Sequence, residues 1–213
     1  MTTRAEFLAL LRAENAVVEA LAELLDAMDS DGRRHAIEGL RPADQAKLYQ
    51  LAQGRHTDLD HYVPPGTAHG EEIIHDGMNT LPVIGGPFQK RFAIDPEDPD
   101  RLLGYNHNHA GPVSKLFWFT GPGYFVMRPK GSGSPDGRTD HGGQVFVNYY
   151  EQPEQAPVEH WPHPAPPIGL TAGLVWGSMC DYMWKVSEHV SIGAAYKKGK
   201  LMGQYFALSR RED

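Results

Sequence analysis

The sequence predicts an α+β protein in which an amino-terminal helical hairpin packs on an antiparallel β-barrel. Three observations lead to this prediction. Apolar residues recur at helical spacing near the amino terminus. Glycine and proline are abundant, at 23 and 17 of 213 residues, and they favour a turn-rich β architecture. Finally, apolar residues occupy both faces of the later strands, which requires both faces to be covered.

The first helix is predicted from its start signal and its periodicity. Thr3 and Glu6 have the spacing of a capping box, and apolar side chains over residues 7–28 recur at steps of three and four. The Asp-Ser-Asp-Gly cluster at residues 29–32 is expected to end this helix.

A second, shorter helix completes the hairpin of residues 1–54. It opens with Pro42 in its first turn and stops at Gly54. Residues 55–87 are rich in Pro, Gly and His with little periodicity, so they predict a long ordered connection. The β-barrel is then expected over residues 88–213, and the three parts are expected to form one structural domain.

Short strands separated by turns are predicted along the barrel segment. Leu116–Thr120 and Tyr124–Arg128 flank a Gly-Pro-Gly reversal and predict a tight hairpin. Residues 131–143 predict a mobile polar loop, and the proline-rich residues 153–167 are expected to wrap the outside of the sheet. Further strands are expected at 144–150, 174–176, 181–186, 191–196 and 201–208.

Charge and composition exclude several classes of protein. The net charge of −7 and the scattered basic residues argue against nucleic-acid binding. No run of 18 apolar residues and no signal peptide is visible, so no membrane partner is expected. Cys180 is the only cysteine and fits a reducing compartment. The sequence therefore predicts a cytoplasmic protein, and no motif in it calls for a cofactor.

The carboxy-terminal strands carry a family resemblance. Residues 181–186 (Asp-Tyr-Met-Trp-Lys-Val), 190–195 (Val-Ser-Ile-Gly-Ala-Ala) and 203–210 (Gly-Gln-Tyr-Phe-Ala-Leu-Ser-Arg) resemble the closing strands of lipocalin-like bacterial barrels. Residues 103–106 (Leu-Gly-Tyr-Asn) look like an earlier strand of such proteins, although the Gly-x-Trp-x-Gly signature is absent. The resemblance implies an interior cavity for a small, mostly apolar ligand.

Candidate ligand-binding residues are aromatic or polar side chains on the predicted strands. Aromatic rings can line a cavity while their hydroxyl or indole groups orient a ligand, and a buried amide or guanidinium needs a partner. The alternative for each is ordinary core packing or solvent exposure. These candidates are Arg91, Tyr105, Trp118, Tyr124, Asn148, Tyr182, Trp184 and Tyr205.

Histidines supply the candidates for chemistry. His107 and His109 are two residues apart, so on a strand both imidazoles point to one side, as two ligands of one metal would. The residues that follow do not complete a cupin pattern, and no metal is assigned. His107, His109 or His189 could instead act as a general acid or base near neutral pH.

The leading functional hypothesis is a binding protein that holds a small hydrophobic or amphipathic ligand in the barrel cavity. The alternative is a small isomerase or cyclase that uses these histidines or a histidine-bound metal. A third hypothesis is a homodimer, in which the apolar outer face of the barrel pairs two subunits.

Overall fold

A computed structural model of the chain describes residues 3–81, 86–107, 123–129, 145–164 and 179–212. The helices come first: α1 (Arg4–Arg12), α2 (Val18–Asp26), α3 (Ser30–Glu38) and α4 (Pro42–Leu51), followed by a short 3-10 helix at Leu59–His61. Within the described ranges the strands are β1 (Ile73–Asn79), β2 (Gly86–Ile94), β3 (Leu102–His107), β4 (Tyr124–Arg128), β5 (Phe146–Asn148), β6 (Met179–Lys185), β7 (Val190–Lys197) and β8 (Lys200–Arg210). The predicted α+β class is confirmed.

The predicted first helix is wrong in length, because the chain breaks between α1 and α2. The carbonyl of Ala13, just after α1, accepts a hydrogen bond of 2.6 Å from Lys47 Nζ. The guanidinium of Arg12 makes two hydrogen bonds to Asp44, of 2.9 and 2.7 Å. Lys47 and Asp44 both belong to α4. These tertiary contacts fix the break, and no local pattern in the sequence encodes them.

The Asp-Ser-Asp-Gly cluster begins a helix as well as following one. Asp29 is the N-cap of α3, and its carboxylate accepts a hydrogen bond of 2.7 Å from the Gly32 amide. The predicted end of the preceding helix near this cluster is confirmed, since α2 ends at Asp26. The start of α3 in the same cluster was missed, because the residue types that favour turns also favour helix N-caps. The predicted second helix is confirmed as α4, with Pro42 in its first turn.

The strands form a closed antiparallel barrel in which each strand pairs with the next and β8 pairs with β1. β4, β6, β7 and β8 fall on predicted strands, and β5 is shorter than its prediction. β1 lies inside residues 55–87, which were predicted to be a connection without strands. The strand was missed because four of its seven residues are His, Asp, Gly and Asn, which do not form an apolar strand pattern. The predicted strands at 116–120 and 174–176 and the loop at 131–143 lie outside the described residues.

The segment before β1 closes one end of the barrel. The ring of Tyr62 is fully buried and lies 5.4 Å from that of Phe92 and 5.6 Å from that of His75. His75 Nε2 is hydrogen-bonded to the Tyr62 carbonyl at 2.9 Å. Arg210, at the end of β8, donates to the carbonyl of His61. The barrel interior is therefore plugged where β1 begins and β8 ends.

Glycines placed opposite phenylalanines pack the interior of the barrel. Three cross-strand pairs repeat the arrangement: Gly77 with Phe88, Gly104 with Phe125, and Gly193 with Phe206. In each pair the phenylalanine ring lies over the glycine, less than 3 Å from where a Cβ atom would stand. The missing side chains thus make the room that the aromatic rings fill.

Substituting Gly104 with alanine is expected to destabilise the protein by about 1–3 kcal/mol through overpacking. A Cβ atom there would lie 2.5 Å from the Arg91 carbonyl oxygen and 2.4 Å from Phe125 Cζ. Gly77→Ala is the matched control, because the three atoms nearest to its Cβ all belong to the side chain of Phe88, whose ring can rotate away, and none is a backbone atom. Urea unfolding should show the larger loss for G104A, and equal losses would contradict the argument.

The outer face of the barrel is covered by two different parts of the chain. The helices pack on the outer residues of the last strands, including Trp184, Ile192 and Ala207. The proline-rich segment packs Val158 and Trp161 against the outer side of β2, β3 and β4. The apolar character of both strand faces is explained by this double coverage. The predicted wrapping is confirmed at Ala156, Val158 and Trp161, which pack on the outer side of the barrel.

None of the helices among the described residues has the length and apolar character that crossing a membrane requires.

Candidate functional site

A buried polar cluster occupies the half of the barrel interior that lies away from the Tyr62 plug. Lys90 Nζ donates a hydrogen bond of 3.0 Å to Asn106 Oδ1 and another to the hydroxyl of Tyr149. The Tyr149 hydroxyl lies 3.2 Å from Asp181 Oδ2, to which it can donate. Lys90 Nζ and Asp181 Oδ2 are 3.6 Å apart. We call these four residues the Lys90 cluster.

The alternation of side chains along the strands places these four side chains in the barrel interior. On β2, Phe88, Lys90 and Phe92 share the inner face, as Met179, Asp181 and Met183 do on β6. Both strands therefore carry a charged residue between two apolar residues on one face. Asn106 lies near the end of β3, and Tyr149 directly follows β5. Asn106, Tyr149 and Asp181 lie toward the barrel end opposite the Tyr62 plug, and Lys90 lies midway along β2, opposite His75 of β1.

The amide of Asn106 fixes the geometry of the cluster. Its Nδ2 donates to the Gly123 carbonyl at 3.0 Å and lies 3.3 Å from the Tyr149 hydroxyl. Its Oδ1 is thereby turned toward Lys90, which is the orientation that an ammonium group requires. The side-chain nitrogen of Lys90 also lies over three aromatic rings, 4.5 Å from the centroid of Phe125 and 5.0 Å from those of Tyr149 and Phe206.

A small cavity adjoins the cluster. Its volume is about 30 Å³, which is room for roughly two water molecules or for the polar group of a ligand. The cavity is therefore lined by the polar groups of the cluster and by Asn79 and Gln204, together with apolar side chains such as Phe88, Met179 and Phe206. The lining residues are Asn79, Leu81, Phe88, Lys90, Asn106, Tyr149, Met179, Asp181, Ala195, Gln204, Tyr205 and Phe206.

Burial dominates the electrostatics of the cluster. It lowers the pKa of Lys90 to about 8, although the nearby Asp181 carboxylate opposes this shift. It raises the pKa of Asp181 to about 6 against the opposing effect of Lys90. The pKa of Tyr149 is raised well above its usual value, first by burial and then by Asp181. Each group is thus moved toward its neutral form, so a proton can pass between these residues near neutral pH.

The predicted ligand-binding residues lie mainly on the outer side of the barrel. Tyr105 and Tyr124 pack against Trp161 of the proline-rich segment. Trp184 contacts His56, and Tyr182 contacts Phe146.

The other candidates are divided between the wall and the cavity. Arg91 pairs with Glu72, and Asn148 donates to Glu151. Tyr205 packs on Tyr49 and also borders the cavity. Trp118 lies outside the described residues. Whether any of these residues binds a ligand stays a prediction.

The structure does not bring the candidate histidines together. His107 ends β3 and His189 precedes β7. Odd-numbered strands run in the same direction in this barrel, so these two histidines lie at opposite ends. His189 is 3.2 Å from Glu212 and 3.3 Å from Arg210, and burial lowers its pKa. His109 lies outside the described residues.

The described part of the chain contains no group of three His, Cys, Asp or Glu residues arranged to hold a metal ion.

Sequence reasoning missed Lys90, Asn106, Tyr149 and Asp181. Lys90 is flanked by Gln89 and Arg91 and therefore resembles an exposed polar run. A signal was nevertheless present in Asp181, a single carboxylate within an otherwise apolar stretch of β6. A charged residue in such a position is buried on one of two faces and needs a partner.

Comparisons of the chain with protein-family models, with curated proteins and with solved structures find no match.

Proposed function

We propose that the protein binds a small amphipathic molecule in the barrel cavity beside the Lys90 cluster. The polar group of this molecule lies against the Lys90 cluster, and its apolar part lies against Phe88, Met179 and Phe206. The observation that carries the proposal is a buried lysine–carboxylate pair on the wall of a cavity. Burying such a pair costs stability, and a role in binding accounts for its presence. The resemblance of residues 181–210 to lipocalin-like barrels supports the same function.

The cluster favours a neutral polar group over an ionic one. Lys90 already faces the carboxylate of Asp181 at 3.6 Å, so an added anion would be repelled by Asp181 and an added cation by Lys90. A carbonyl, amide or hydroxyl group can instead accept from the Lys90 or Asn106 nitrogen or donate to Asp181. A neutral head group therefore binds without leaving a buried charge uncompensated.

The cavity volume limits the size of the ligand. A space of about 30 Å³ takes the polar head group, and the carbon chain of the molecule extends past Leu81, Gln204 and Tyr205. Long-chain lipids would require the packed phenylalanines below the cluster to move. Short-chain molecules are therefore the expected ligands.

Butanamide should bind in the millimolar range, because a ligand of about six heavy atoms gains only a few kcal/mol. An NMR titration of the full chain should show saturable shifts for residues of β2 and β6. Sodium butyrate should bind more weakly, because its carboxylate is repelled by Asp181.

Two variants test where the molecule binds. Ala195 lines the cavity, so Ala195→Leu should fill it and weaken butanamide binding at least about tenfold, the equivalent of 1.4 kcal/mol. Ala68→Leu, at an exposed position, is the control and should bind as the parent does. The proposal is wrong if butanamide causes no saturable shifts or if A195L binds it equally well.

A further inference from the structure

We propose that the side-chain amine of Lys90 captures small aldehydes or ketones in the cavity as an imine. This inference rests on the proposed function, since it places the carbonyl carbon of the bound molecule next to Lys90 Nζ. It adds a covalent step to a binding site and names the class of ligand: a short-chain carbonyl compound with an apolar tail.

The position of Lys90 is suited to this reaction. Its side chain is buried, with 1% exposed, and it lines the cavity. The three aromatic rings around its nitrogen exclude water, which would otherwise hydrolyse an imine. An amine in such a setting reacts as a nucleophile when it is neutral, and desolvation favours the neutral form.

The neighbouring groups can move the protons that the reaction requires. The Lys90 lone pair attacks the carbonyl carbon, a C–N bond forms, and the carbonyl electron pair passes to oxygen, which takes the proton of the Tyr149 hydroxyl. Asp181 accepts one proton from the nitrogen and gives it to the departing hydroxyl, which leaves as water while the C=N bond forms. The proton that remains on the nitrogen then returns to the Tyr149 oxygen. Amine and carbonyl compound thus give imine and water, with Tyr149 and Asp181 restored and with no oxidant or reductant.

Among the described residues, the titratable side chains that face Lys90 are those of Asp181, Tyr149 and His75. Asp181 faces it from β6, Tyr149 from the residue after β5, and His75 is its direct cross-strand partner on β1. His75 is fully buried, and its pKa is lowered to about 3, so it is neutral near pH 7 and adds no positive charge. The residues that β3, β4 and β8 place against the Lys90 nitrogen, Asn106, Phe125 and Phe206, are uncharged.

The test is to treat the full-length protein with butanal at pH 7, quench with borohydride after short times, and locate butylated lysines by peptide mapping. Lys198 and Lys200 are exposed and serve as references within the same molecule. Lys90 should be modified at least about tenfold faster, because its pKa is lowered to about 8 and each unit by which the pKa falls gives about ten times more neutral amine at this pH. Its rate should level off above pH 8.

The outcomes separate the two proposals. If Lys90 is modified no faster than Lys198, the imine proposal is overturned. If butanamide still binds in that case, the binding function stands without the covalent step. Ala195→Leu should slow the modification of Lys90 and leave that of Lys200 unchanged, and an unchanged Lys90 rate in this variant would also overturn the proposal. None of these readouts needs a variant of Lys90 itself.

Discussion

Lys90→Met and Asp181→Leu should each destabilise the protein by about 3–5 kcal/mol, whereas the double variant should be as stable as the parent or more stable by about 1–4 kcal/mol. In each single variant one charged group remains buried without its partner. In the double variant both desolvation costs disappear, and the hydroxyl of Tyr149 and the amide of Asn106 can still hydrogen-bond to each other.

The pKa shifts give the reason for the expected stability of the double variant. The pKa of Lys90 is lowered and that of Asp181 is raised, both through burial as the largest cause. Each shift means that the folded protein disfavours the charged form, so the mutual attraction of the pair does not repay its desolvation. The buried pair therefore lowers the stability of the folded protein, and a function accounts for its presence.

Urea unfolding of the parent, the two single variants and the double variant forms a double-mutant cycle. Lys185 and Glu188 provide a matched control, since their charged atoms are 2.8 Å apart but their side chains are 28% and 70% exposed. Replacing that pair in the same way should change stability by less than about 1 kcal/mol. If the losses of K90M and D181L simply add in the double variant, the two residues are not coupled and the argument fails.

The architecture could be predicted further than the site because the two depend on different information. The helix preceding Gly54, the hairpin around Lys198 and the two-sided apolar strands all follow from local patterns, and together they require a closed, covered barrel. The break after Arg12 depends on Lys47 and Asp44 of a distant helix. No window of sequence contains both sides of that contact.

The site was missed because strand residues have two possible faces. The aromatic candidates Tyr105, Tyr124 and Tyr182 are one residue out of phase with the inward positions. Tyr105 and Tyr124 therefore pack on the proline-rich segment, and Tyr182 packs against Phe146 and Tyr196 on the outer side of the barrel wall. Aromatic content does not decide which face is inside when both faces are buried. The charged residues do decide it, because an outer-face Asp181 would be buried without the Lys90 nitrogen that the barrel interior supplies.

His75 should make the protein sensitive to acid. It is fully buried, and burial lowers its pKa to about 3. The pKa of His61, also buried, is lowered well below its usual value for the same main reason. Below about pH 6.5 these histidines bind protons in the unfolded chain but stay neutral in the folded chain. The folding stability that they contribute is therefore fully present above this pH and is lost as the pH decreases toward 3.

Asp181 opposes this loss over part of the range. Its folded pKa of about 6 exceeds the unfolded value, so the folded protein binds the extra proton between pH 6 and 4 and gains stability as the pH falls. Burial also lowers the pKa of His189, so three histidines act against one aspartate and a net loss of stability remains. Replacing His75 isolates its contribution, because the effects of Asp181 and His61 are then common to both proteins.

His75→Gln is expected to cost stability at pH 7.5 and to make the protein less sensitive to acid. The cost arises from imperfect packing against Tyr62 and Phe92, while the glutamine amide can still donate to the Tyr62 carbonyl. The difference in unfolding free energy between parent and variant should shrink by about 1.4 kcal/mol for each pH unit below 6.5, so H75Q should be the more stable protein near pH 4. Urea unfolding at several pH values measures the unfolding free energies of the parent and of H75Q.

His69→Asn, at an exposed position, is the control and should leave the pH dependence of stability unchanged. If the stabilities of H75Q and the parent change in parallel with pH, the fold does not hold His75 neutral.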